Sequence, residues 1–127
     1  MLEVELAGAP PATPLPAEIQ RLCTQAAAVA GVQDGHLAVE FVDTKRITEL
    51  NRDHRGKDAP TDVLSFPVDG DTTTPAGPRE LGDVVICPEH TADVREAVVH
   101  GVLHLVGMDH ETDGGEMLAA QREILGR

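Results

Sequence analysis

Residues 97–106, AVVHGVLHLV, read as a helix that is apolar on every side, and such a helix is stable only when other elements enclose it. This segment commits the chain to a layered fold with a helix in its interior. The helical pattern starts polar at about Thr91, runs to Val106 and stops at Gly107, which can take the left-handed conformation that turns the chain back. Within the eleven residues HGVLHLVGMDH lie three of the six histidines in the sequence: His100, His104 and His110.

The remaining segments supply the covers. LEVEL near the N-terminus alternates with period two, as a half-buried strand does, and APPATPLP ends it. AEIQRLCTQAAAVAG places Ile19, Leu22, Ala26 and Val29 at helical spacing, with Gly31 as its stop. HLAVEFV alternates again. Asp43 or Thr44 can cap a second helix that runs to about Arg55, carries Ile47, Leu50 and His54 on one side and ends at Gly56. TDVLSFPV and LGDVVIC read as strands around the turn-rich loop DGDTTTPAGPRE, and Pro67 confines the first of them to an edge or a strand end. GGEMLAAQREILG is a last amphipathic helix with Met117, Leu118, Gln121 and Leu125 as its facing positions. The order βαβαββαα predicts an α+β fold, a single domain over residues 1–127 with a mixed four-stranded sheet packed with helices.

Charge narrows the function classes. Ten Lys and Arg against twenty-two Asp and Glu give a net charge of −12, which opposes broad capture of polyanions. With two Phe and no Tyr or Trp, rows of stacking aromatics for nucleic acid are also excluded. The local exception is KRITELNRDHRGK, where five cations face two carboxylates; it is either a solvated helix face or a local phosphate site. Cys23 and Cys87 lack CxxC spacing and the N-terminal stretch has no secretory pattern, so a cytoplasmic location is expected. No apolar run approaches the ~20 residues of a membrane span, and no membrane partner is expected.

Histidines four apart on a helix share a face, with Cβ atoms about 5–6 Å apart, so His100 and His104 can converge on one ion. His110, beyond the Gly107 turn, can reach that ion from a third direction. Three imidazoles with the fourth tetrahedral position open is the pattern of a catalytic rather than a structural zinc. The plain alternative is a set of core histidines bonded to backbone carbonyls, yet three such rings in a Val/Leu setting would each leave a polar atom to satisfy at about 1–3 kcal/mol.

The spacing resembles that of the metzincin proteases, HExxHxxGxxH, except that Gly101 stands where their general-base Glu belongs. Peptide hydrolysis by that route has therefore lost its base. Lewis acidity and a water pKa lowered towards ~7 would still serve a phosphodiester. A second resemblance is more specific. HGVLHLVGMDH is similar to the HGxLHLxGYDH signature of the YbeY endoribonuclease family, and RGKDAPTDVLSFP and LGDVVICPE resemble its other two signature blocks, in the same order from Arg55 to His110.

That resemblance implies a zinc-dependent, single-strand-specific endoribonuclease acting in ribosomal RNA maturation, notably at the small-subunit RNA 3′ end, and in ribosome quality control. It makes His100, His104 and His110 ligands of one zinc ion on the buried helix, and Arg55 the catalytic arginine beside it. It implies ribosomal RNA, small-subunit proteins or an assembly GTPase as partners, and no DNA. At the end of the basic helix, the Arg55 guanidinium could fork onto two phosphate oxygens.

Three departures stand out: Met108 for the usual Tyr, a short segment between CPE and HG, and the acidic balance. A zinc-holding ribosome-assembly scaffold without catalysis, or a metalloprotease with Glu111 in place of the missing base, are the alternatives. Asp109 can hold an imidazole tautomer or cap the turn after Gly107. Asp62, Ser65 and Asp83 fit turn or strand-end roles, and His36, His54 and His90 fit surface or core roles. Cys87 is either an inert thiol at a strand end or a fourth ligand.

Overall fold

A computed structural model describes residues 2–68, 80–109 and 113–126. The elements follow the expected order: β1 Leu2–Gly8, α1 Pro16–Val29, β2 Gly35–Phe41, α2 Thr44–Arg55, β3 Val63–Pro67, β4 Glu80–Ile86, a 3₁₀ turn Pro88–His90, α3 Val94–Leu105 and α4 Glu116–Leu125. Residues 69–79, which hold most of the expected turn-rich loop, lie outside the described residues, as do His110 and Glu111.

The sheet runs β1-β2-β4-β3; β1 and β2 are parallel, β2 and β4 are parallel, and β3 returns antiparallel to β4. Parallel neighbours need a long crossover, which α1 supplies between β1 and β2. Side-chain alternation along the strands divides the apolar residues between two faces. Leu37, Val39, Val84 and Ile86 join the core formed with α1, α3 and α4, whereas Leu64, Val85 and Cys87 meet Ile47 of α2 on the other face. The chain is an α+β domain with a mixed four-stranded sheet, as its patterning predicts.

Helix ends follow local chemistry. Asp43 caps α2 by accepting the Arg46 N–H at 2.8 Å. Gly56, at φ 72°, closes it by donating to the Arg52 carbonyl. Helix α3 begins three residues later than the periodicity predicts. Asp93 takes the cap by accepting from the Arg95 and Glu96 N–H groups at 3.0 and 3.3 Å. Before it, the Thr91 hydroxyl donates to the Cys87 carbonyl and finishes the 3₁₀ turn. Two expected facing positions are corrected: Val29 is 45% and Leu118 38% exposed. The buried stripe of α1 passes through Ile19, Leu22, Cys23, Ala26 and Ala27, and that of α4 through Met117 and Gln121.

The interior helix expected from AVVHGVLHLV is α3, in which Val98, Val99, Val102 and Leu103 are fully buried. At Gly101 it lies directly on the sheet: a Cβ there would stand 2.5 Å from Val84 Cγ1 and 3.3 Å from Val63 Cγ2. The Ser65 hydroxyl donates to the Gly101 carbonyl at 2.9 Å and fastens α3 to β3. Replacing Gly by Ala in an open helix gains about 1 kcal/mol. Here the methyl overpacks the contact at a cost of about 1–3 kcal/mol. Gly101→Ala is therefore expected to lower stability by up to about 2 kcal/mol in urea unfolding, and Val84→Ala added to it to be less damaging than the two effects summed. Strict additivity would show that α3 and β4 do not press on each other.

Candidate active site

A cleft of about 530 Å³ opens beside β3, the antiparallel edge strand of the sheet. The last turn of α2 brings His54 and Arg55 to it, β3 contributes Ser65, and α3 contributes Glu96, His100 and His104. Three residues that sequence reasoning placed at one functional centre, Arg55 and the helical histidine pair, thus line one cleft around the edge strand although α2 and α3 lie on opposite faces of the sheet.

The histidine pair stands as the i, i+4 spacing requires, with ring centroids 4.7 Å apart and ring planes at 75°. Both rings are half-buried. His100 Nδ1 lies 2.9 Å from Oε1 of Gln121 on α4. An amide oxygen only accepts, so this contact pairs with the His100 tautomer that carries its proton on Nδ1 and its lone pair on Nε2. Two neutral imidazoles so arranged suit zinc, nickel or copper. His110 lies outside the described residues, and among those described no three His, Cys, Asp or Glu side chains gather to hold a metal.

Arg55 is exposed at the C-terminus of α2. The loop beyond it is tied down where the Lys57 N–H donates to the Asn51 carbonyl and Asn51 Nδ2 donates to the Ala59 carbonyl at 2.8 Å. Among the described lining residues Arg55 is the one Lys or Arg, and it shares the cleft with Asp62, Asp93, Glu96 and Asp109. The acidity of the whole chain therefore extends into the cleft.

The weaker sequence readings separate here. Asp62 does turn chemistry: its Oδ1 accepts the Val63 N–H at 2.8 Å and its carbonyl the Cys87 N–H at 2.9 Å. Asp83 is exposed on β4 and does not line the cleft. His36 pairs with Glu80 at 2.8 Å and His90 with the Thr44 hydroxyl at 3.1 Å, both as surface histidines. His54 differs, since it lines the cleft and its ring lies 4.5 Å from that of Phe66. Gln121 was legible only as a polar residue on an apolar stripe, and the glutamate one turn before His100 had no motif to mark it.

Together the fold and the cleft define a class: a small α+β domain with a mixed sheet that opens a histidine-lined cleft at its antiparallel edge. The family model described as Endoribonuclease YbeY matches residues 11–127. An Endoribonuclease YbeY of Bacillus cytotoxicus is 43% identical over an alignment covering 85% of this chain and 83% of its own length. That of Stenotrophomonas maltophilia is 41% identical, covering 98% and 88%. A Thermotoga maritima protein solved in solution superposes with a TM-score of 0.59 at 27% identity, covering 96% of this chain and 86% of its own. The chain belongs to the Endoribonuclease YbeY family. Among the described residues no helix is long and apolar enough to cross a membrane.

Neither cysteine lines the cleft, and both are buried. Cys87 packs against Ile47 and Leu64 on the α2 face, which fits the inert thiol rather than a ligand. Burial pushes the Cys23 thiol up from 9.0 to about 12. At pH 8 only about one molecule in ten thousand then carries its thiolate, the form that reacts. A chromogenic disulfide reagent is expected to leave both thiols unmodified in the folded protein and to titrate two in guanidinium. Rapid reaction of one equivalent without denaturant would contradict the packing.

Proposed function

We propose that this chain is a zinc-dependent endoribonuclease that cuts single-stranded RNA and acts in ribosomal RNA processing, at the small-subunit RNA 3′ end, and in ribosome quality control. The observation that carries this reading is the convergence of Arg55 from α2 with His100 and His104 from α3 on one cleft in a member of the Endoribonuclease YbeY family. One zinc ion per chain is held by His100, His104 and His110. When bound, zinc supplies Lewis acidity, an acidified water and two positive charges.

The protein's own groups bind and orient. The Arg55 guanidinium takes two oxygens of the scissile phosphate in a fork and offsets charge that grows there as the bond to the leaving oxygen lengthens. The carboxylates around it repel phosphate, so entry of the RNA backbone rests on this local cation rather than on a basic surface. Partners in this reading are ribosomal RNA and small-subunit proteins or an assembly GTPase, in the cytoplasm.

A peptidase that works by the metzincin route is disfavoured at one atom. The glutamate such an enzyme carries at position 101 has no room, because its Cβ alone would meet Val84. The scaffold alternative predicts binding without cleavage.

A small-subunit 3′-end precursor incubated with pure protein is expected to be cut, to survive in chelator, and to be cut again when zinc is restored. His104→Ala is expected to abolish cleavage, and Arg55→Ala to lower kcat/KM by about 10²–10³-fold, the loss typical of one charge-stabilising donor. Wild-type activity in His104→Ala would overturn the zinc reading, and RNA bound but uncut would favour the scaffold. Ends carrying 2′,3′-cyclic phosphate would assign the attack to the RNA's own hydroxyl, and 5′-phosphate ends to water.

A further inference from the structure

Gln121 is a buried polar side chain, 8% exposed, on the inward stripe of α4. Leucine would cover the same core without desolvating an amide. A buried amide persists where it is hydrogen-bonded, and its Oε1 meets His100 Nδ1 at 2.9 Å across two helices. Helix α4 is itself tied at its start: Asp113 accepts the Gly115 N–H through Oδ1 at 2.8 Å and the Met117 N–H through Oδ2 at 2.9 Å. Met117, one turn before Gln121, is fully buried in the main core.

We propose that Gln121 is a positioning residue: its side-chain carbonyl holds His100 as the Nδ1–H tautomer and so presents the Nε2 lone pair to the cleft as the metal-binding atom. The first half of this statement stands on the protein alone, and the second rests on the zinc reading above. An imidazole whose Nδ1–H is held by an acceptor is oriented and made a better donor, and loss of such a partner typically weakens metal binding by about 10–100-fold. Free histidine in water prefers the other tautomer, so the preference of His100 is a property that Gln121 must impose.

The test uses metal-free protein labelled with ¹⁵N-histidine at mildly alkaline pH, where long-range ¹H–¹⁵N spectra distinguish the two tautomers. Wild type is expected to show His100 as Nδ1–H, Gln121→Glu to keep it, and Gln121→Leu to move it to Nε2–H. In chelator competition, zinc affinity is expected to fall by about 10–100-fold in Gln121→Leu and to stay near wild type in Gln121→Glu. A purely structural role would lower the melting temperature of the metal-free protein without altering the tautomer. His100 as Nε2–H in the wild type overturns the proposal, even if the leucine variant does not fold. Unchanged tautomer and affinity in a folded Gln121→Leu protein overturn it too, and leave the zinc reading intact. A wild type that takes up no zinc overturns the zinc reading instead, and the tautomer then decides the first half alone.

Discussion

The close approach of α3 to the sheet at Gly101 sets the position of the side chains that α3 gives to the cleft. Because position 101 has no Cβ, the helix backbone can rest on Val84 and Val63, and the Ser65 hydroxyl can reach the Gly101 carbonyl. A helix seated this deeply buries its neighbours Val98, Val99, Val102 and Leu103 completely. His100 and His104, four apart on the remaining flank, are left half-buried, with one side against protein and the other lining the cleft. The absence of a carboxylate at position 101, which set this chain apart from the proteases, is thus a packing requirement as well as a chemical one.

The second determinant is the edge strand. As β3 ends the sheet, α2 on one face and α3 on the other can both reach around it, and residues far apart in sequence share one cleft. Capping sharpens the placement. Gly56 ends α2 immediately after Arg55, and Asp93 starts α3 so that Glu96, His100 and His104 succeed one another along one flank. Four carboxylates line the same space as Arg55, so the cleft is acidic around its one described Lys or Arg.

Much of the fold was legible because its signals are local. Period-two alternation marked the strands, helical spacing marked α1, α2 and α4, and the apolar run marked α3 as interior. Errors fell where the signal is rotational or competitive. Val29 and Leu118 were assigned inward by spacing alone, but the face a helix buries depends on which neighbour it meets. The start of α3 moved from Thr91 to Val94 because Asp93 offers a better cap than the threonine before it, whose hydroxyl goes to Cys87.

The site divides along the same line. Read by itself, the sequence determined the α+β order, the shared helix face of His100 and His104, the stop at Gly107 and the family signature, all of which depend on residues near one another in the chain. Only the tertiary structure decided that Arg55 lines one cleft with that histidine pair, that His54 lines it too, and that Gln121 of α4 bonds to His100. Those contacts join helices separated by long stretches of sequence, and their geometry follows from how closely two backbones approach, a distance that no residue pattern encodes except through the missing side chain at Gly101.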